Sequence, residues 1–398
     1  MPFTVIGDLW ILLFRMWNIS VRDSTHMDPS ENPLEIPEVL DQILSFLDAQ
    51  KDLHACALVH PSWVYTSQSL LFSSITIPPA LLSSIASQHP HLIGFIQTLK
   101  IIVQSEEIQG FSLPSTRFPQ LSTLTLTMVS LPMMHYSAIQ QLLRTPSLVS
   151  GTIRFNLGEA KDFAQIWDGC SASIKHVAYG LNLFSDELSP GESYPAYVGN
   201  RPLRLESFWT ADSVENTLGW LHDPGCPFNL AHLKAFKFYR IDYESFAGIL
   251  AGSFQSIEFL SFNMRCMFSL SDVPNIFPFR RVTQVDVDLD KEGKVDANFH
   301  LEQLILPETR PRIQAIRFHA PRGYTHSYTI TDLRNLDRSI SEVCDDFENL
   351  KTVEIVMDLK ASEKRRRRAV EEELQQRHPK IKFACVSQPE PWYRRMIV

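Results

Sequence analysis

Leu233-Lys-Ala-Phe-Lys-Phe238 and Ile257-Glu-Phe-Leu-Ser-Phe262 carry one loose phrase: apolar, two polar, apolar, polar, apolar. Its second half alternates with a period of two, so each copy predicts a short strand with one buried face. The phrase returns at Ile96–Val103, Leu121–Leu126, Ile174–Val177, Leu205–Phe208, Val282–Val287, Ile313–Phe318 and Leu350–Ile355. With Leu124, Ile153, Val177, Phe208, Phe236, Phe259, Val285, Ile316 and Val353 taken as equivalent, the steps are 29, 24, 31, 28, 23, 26, 31 and 37 residues.

Most of those steps lie at or slightly beyond the ~20 to 29 residues of leucine-rich repeats, enough for one strand and one helix per unit. The fold class expected is α/β, with strands stacking into a parallel sheet along an irregular, leucine-rich-repeat-like solenoid over residues 76–398. Met134–Leu143, Phe163–Trp167, Ser213–Leu221, Tyr243–Leu250 and Asp332–Phe347 have the apolar spacing of the intervening helices. No Asn or Cys recurs at the turns and unit length varies, so the repeats are degenerate. An unrelated α/β domain with several parallel strands is the competing expectation.

Upstream stands Ile36-Pro-Glu-Val-Leu-Asp-Gln-Ile-Leu-Ser-Phe-Leu-Asp48, then Asp52-Leu53, Ala57-Leu58-Val59 and Trp63. Leu40, Ile43, Leu44 and Leu47 form one helical stripe, and Pro37 suits the first helical turn. Val39 and Phe46 fall outside that stripe, giving the helix more apolar surface than one core contact requires. Asp52 is placed to cap a second helix, and Pro61-Ser62 marks the break before a third. Three short helices in about 40 residues make a very small core, so the module needs a neighbour or a partner.

In this order of residues, the stretch from about Glu35 to Phe72 resembles the F-box, the segment that docks substrate receptors onto the Skp-type adaptor of cullin-RING ubiquitin ligases. The resemblance implies that Ile36 and Pro37 match the family's Leu-Pro opening. It likewise implies adaptor-binding roles for Leu40, Ile43 and Leu47 on the first helix, and for Leu53 and Ala57 on the second. Trp63 matches the aromatic that anchors the third helix, while Pro61-Ser62 replaces the family's usual basic pair. An F-box followed by irregular leucine-rich-like repeats is similar to a large group of fungal F-box proteins. The plan expected is an N-terminal extension (1–31), an F-box-like module (32–75) and a recognition domain (76–398). Without the family, the same helices read as a cap on the repeats.

Composition is that of an ordinary soluble domain, and a formal charge of -8 argues against broad nucleic-acid binding. Six cysteines without a Cys-x-x-Cys pair read as reduced residues of a cytoplasmic or nuclear protein. Phe3–Ile19 is largely apolar but interrupted by Asp8 and Arg15. It fits neither a spanning helix nor a signal peptide cleanly, and is expected to be a poorly ordered extension, with a membrane-surface or signal-anchor segment as the alternative. Phosphate-loop, dinucleotide, nucleophile-elbow and zincin motifs are absent from the sequence, and no cofactor, metal or catalytic role is expected.

Three remaining features invite function. Asp286-Val-Asp-Leu-Asp290 puts three carboxylates on one strand face, read as a solvated or partner-facing strand edge. Lys364-Arg-Arg-Arg-Arg368 resembles a nuclear-import patch, but seven basic and four acidic residues between Lys360 and Arg377 describe a solvated helix. The Pro- and Gly-rich run Ser185–Pro202, with Tyr194 and Tyr197 and with Trp209 nearby, supplies recognition residue types. The function implied is a ligase substrate receptor that contacts the adaptor, cullin through it, and a target protein. A repeat scaffold without a ligase connection is the alternative.

Overall fold

The computed structural model describes residues 37–47, 50–103, 117–130, 136–156, 166–179, 202–213, 226–240, 255–263, 281–288, 310–319, 347–356 and 364–386. Every recurrent phrase becomes a strand that begins two residues after the phrase's first apolar residue. In several units that residue closes a tight turn instead. Leu233, Ile313 and Leu350 donate their N–H to Leu230, Arg310 and Phe347 carbonyls at 3.0–3.1 Å. Their side chains are buried. The next two N–H groups then bond to one carbonyl of the preceding unit, as Glu258 and Phe259 do to Lys234 at 2.7 and 3.0 Å. Strand entry is thereby fixed relative to the turn.

The chain divides into two compact units. The described part of the first, residues 37–47, 50–102 and 117–124, contains α1 (Pro37–Ser45), α2 (Gln50–Val59), α3 (Pro61–Ser73), β1 (Ser74–Ile77), α4 (Pro79–Gln88), α5 (Pro90–Ile93) and most of β2 (Thr98–Val103). β1 pairs parallel with β2, Ser74 opposite Thr98. β1 has no counterpart among the expected strands, because Ser-Ile-Thr-Ile is too short to stand out from the helix before it.

The second unit, residues 103–109 and 125–398, holds most of β3 (Thr123–Ser130). It continues with α6 (Tyr136–Leu143), β4 (Ser150–Asn156), β5 (His176–Tyr179), β6 (Leu203–Arg204), β7 (Ser207–Ser213), β8 (Phe228–Asn229), β9 (Ala235–Arg240) and β10 (Phe259–Asn263). It ends with β11 (Gln284–Asp288), β12 (Ala315–His319), β13 (Thr352–Val356), α7 (Lys364–Arg377) and β14 (Lys382–Val386). Its main sheet runs β3-β4-β5-β7-β9-β10-β11-β12-β13-β14, and β6 and β8 form a small parallel pair. The pairs from β4 to β14 are parallel. A parallel sheet in chain order needs a crossover between neighbours, which α6 and α7 supply after β3 and β13. Ile166 and Trp167 are helical, while residues 214–221, 243–250 and 332–346, expected as helices, lie outside the described residues.

A buried row crosses this sheet: Gly151, Val177, Phe208, Phe236, Leu260, Val285, Ile316, Val353 and Phe383 stand in register. Two equivalences drawn from the sequence are corrected by it. Leu260, not Phe259, continues the row, since adjacent apolar residues leave the alternation ambiguous. Gly151, not Ile153, holds the β4 place in it, because Trp167 occupies the space a side chain would take. A Cβ on Gly151 would sit 3.4 Å from Trp167 Cη2 and 3.9 Å from Leu143 Cδ2. Trp167 packs edge-on against Phe228 at 5.1 Å, and Phe208 stacks on Phe236 at 6.3 Å. Gly151→Leu is therefore expected to destabilise by about 1–3 kcal/mol through overpacking, with Gly151→Ala close to neutral, read by urea unfolding.

Candidate functional site

α1 carries two apolar stripes side by side. Leu40 and Leu44 point into the first unit and are buried. Val39, Ile43 and Phe46 recur at i, i+4 and i+7, one neighbouring face. Ile43 is 39% and Phe46 82% exposed, and Val39 is half-buried. Glu38 in the first turn suits the positive end of the helix dipole. Past Ser45 the chain keeps a turn, with Phe46 and Leu47 N–H groups on Ile43 and Leu44 carbonyls at 3.3 and 3.0 Å. That turn holds Phe46 outward.

α2 and α3 extend the same character. α2 starts at Gln50, so Asp52 lies in its first turn and not at its cap. Leu53 is buried and Ala57 half-buried, while Leu58 and Val59 are 52% and 67% exposed. His60 caps α3: its Nδ1 accepts from Ser62 N at 3.3 Å, and Pro61 takes the first helical position, where no N–H is needed. Tyr65 on α3 is 69% exposed, its ring edge-on to Phe95 at 5.0 Å. Among the described residues, the exposed large apolar side chains all fall between Ile43 and Tyr65.

Of the adaptor-facing residues implied by the resemblance, Leu40 and Leu53 are covered by the chain itself, Leu47 and Ala57 are half-buried and Ile43 is exposed. Pro37 opens α1, and Ile36 lies outside the described residues. Phe46, already surplus to the core stripe in the sequence, is the most exposed of the set. Leu58, Val59 and Tyr65 were not legible as surface, since α2 and α3 have no strong apolar periodicity to separate inside from outside. The apolar N-terminal run Phe3–Ile19 lies outside the described residues, and no described helix is long and apolar enough to cross a membrane.

The second unit holds polar side chains on the opposite face of the sheet from its buried row. Asp286, Arg317 and Glu354 are register partners on β11, β12 and β13. Arg317 Nη1 reaches Asp286 Oδ2 at 3.4 Å, and Arg317 Nε donates to Glu354 Oε2 at 2.6 Å. His319 Nε2 lies 3.1 Å from the same Asp286 oxygen, whose side chain is 5% exposed. The expectation of a solvated strand edge is thus corrected for Asp286. β11 is paired on both sides, and its first carboxylate is internal and compensated. Asp288 ends β11, and Asp290 lies outside the described residues.

A second charged relay joins the entries of β5, β7 and β9. Glu206 accepts from Lys175 at 2.7 Å and from Lys234 at 2.9 Å. These hydrogen bonds hold the Glu206 carboxyl down at about 2, against an ordinary 4.5. A depressed carboxylate stabilises the fold fully above the unfolded value and loses that contribution as pH falls from 4.5 toward 2. Glu206→Gln should flatten this acid limb by less than about 1 kcal/mol, because the relay is solvent-screened, as read from urea midpoints against pH.

His176 and Ser207 side chains are 2.8 Å apart and both buried, with burial pushing the imidazole below its usual value. Ser207 is fully covered, so the pair reads as a satisfied core contact. Trp209 is half-buried with the Arg154 guanidinium over its ring at 5.5 Å. Tyr194 and Tyr197 lie outside the described residues. α7 forms over Lys364–Arg377 as the run of helix formers implies, with Arg377 paired to Glu373 one turn earlier. In comparisons with known proteins, no family model matches the chain and no curated protein matches it significantly.

Proposed function

We propose that the chain is a substrate-recognition subunit of a Skp-cullin-F-box type ubiquitin ligase. In this reading α1 to α3 form an F-box-like module and the parallel sheet belongs to a degenerate leucine-rich-repeat-like solenoid. What supports it most is the confinement of exposed large apolar side chains, among the described residues, to α1 and the turn after it, α2 and the start of α3. Singly exposed apolar residues are ordinary; several on adjoining short helices mark a surface that a partner covers. Ile43 on the outer stripe of α1 and Phe46 in the turn that follows would enter the adaptor's groove. Leu40, Leu44 and Leu53 would hold the helices in place from within.

The chemistry belongs to the ligase partners. The chain's contribution is to hold a target beside the loaded E2 enzyme, which turns a bimolecular encounter into a local one by raising effective concentration. Location would follow the complex, cytoplasmic or nuclear. Affinity purification of the full chain tests the reading: recovery of a Skp-type adaptor and cullin is expected. Recovery of other partners without either would favour a plain repeat scaffold.

A further inference from the structure

The corner where α2 hands over to α3 is apolar. Leu58 and Val59 end α2, His60 stands alone between the helices, and Tyr65 follows early in α3. All three apolar side chains are more than half exposed. Such a cluster within eight positions exceeds the scattered apolar exposure that needs no cover.

A second apolar surface stands upstream in the same chain. In the run Phe3–Ile19, Ile6, Leu9, Trp10, Leu13, Met16 and Trp17 recur at i, i+3, i+4, i+7, i+10 and i+11, while Asp8 and Arg15 fall outside that stripe. Anchors at this spacing are how a helical face docks on an apolar protein surface. A lipid-surface helix carries lysine and arginine on its polar face, whereas this run balances one acid with one base and has no net charge. The pattern therefore favours a protein surface over an anionic membrane.

Tether length decides which protein surface. Residues 20–36 supply 17 residues before α1, a reach of roughly 55–60 Å when extended. α1, the four residues after it and α2 span at most about 45 Å even end to end. The corner is thus within reach in any arrangement of these helices. A tether of this kind holds its ligand at an effective concentration on the order of millimolar, which a second copy in solution does not match. We propose that Phe3–Ile19 docks in cis on Leu58, Val59 and Tyr65. Ile43 and Phe46 stay open, so an adaptor covering α1 to α3 would displace the run from the corner alone; this consequence, unlike the contact, rests on the adaptor reading.

Photocrosslinking of the full chain tests the contact. Tyr65→p-benzoylphenylalanine, with Val59→p-benzoylphenylalanine as a second probe, is irradiated in an equal mixture of heavy-isotope and unlabelled protein, and the products are mapped by mass spectrometry. Crosslinks from either position to residues 3–19 of the same molecule are expected. Leu9→Gln/Leu13→Gln, on the stripe, should cut their yield about fivefold or more. Asp8→Ser/Arg15→Ser, off the stripe, should change it less than about twofold. Where the adaptor displaces the run, Leu9→Gln/Leu13→Gln should also tighten adaptor binding about threefold. Crosslinks joining light to heavy chains, crosslinks that avoid residues 3–19 at both positions, equal yields from the two pairs of substitutions, or capture of the run by phosphatidylserine vesicles with loss of the crosslink would each overturn the proposal. A crosslink in a chain that binds no adaptor upholds the contact and removes the adaptor reading; adaptor binding without a crosslink does the reverse.

Discussion

Arg317→Ala is expected to destabilise the chain by about 3–5 kcal/mol, among the largest effects of any single charge substitution here. The reason is what remains rather than what is removed. Asp286, 5% exposed in the middle of the sheet, would lose its guanidinium partner and keep a desolvated charge, with His319 as its remaining side-chain partner among the described residues. Glu354 would lose its bonds to Arg317 as well, but it is more exposed and rehydrates more easily. Asp286→Asn/Arg317→Met removes both charges together and should restore most of the loss, since a buried pair is often replaceable by groups that need no compensation. Urea unfolding of the three proteins decides the matter. A loss under about 1 kcal/mol for Arg317→Ala would mean that the network is solvated.

Ile43→Asp/Phe46→Asp is expected to weaken adaptor binding by about 100-fold or more while leaving the thermal midpoint almost unchanged. Aromatic and aliphatic anchors at an interface centre are worth about 2 kcal/mol or more each, and a carboxylate in their place would be buried without a partner. On the free chain both side chains already meet water, so substitution there costs within about 0.5 kcal/mol. Leu44→Ala should behave in the opposite way. It empties a core position and should cost about 2–5 kcal/mol of stability. The contrast separates a partner-facing stripe from a core stripe on one helix.

The strands were legible because alternation of apolar and polar residues is a local consequence of strand geometry, as at Leu233–Phe238 and Ile313–Phe318. Register was legible only where one apolar residue occupied the critical place. At Gly151 the core is filled from elsewhere by Trp167, and no pattern local to β4 could show it. β14 went unrecognised because Lys382-Phe-Ala-Cys-Val386 offers only weak alternation. On α1 the surplus of Val39 and Phe46 over the core stripe was visible in the spacing. Which of two adjacent stripes faces inward depends on how α1 packs on α3, and so lay beyond periodicity. The ion pairs of Asp286 and Glu206 join residues 31 and 28 positions apart, a distance that repeat length alone can bridge once register is known.

Equilibrium binding of the purified full chain to a purified Skp-type adaptor is the most direct measurement. The account predicts saturable binding at micromolar concentration or tighter, lost in Ile43→Asp/Phe46→Asp while the thermal midpoint holds. Absence of binding by the unaltered chain, or binding untouched by that pair of substitutions, would contradict it.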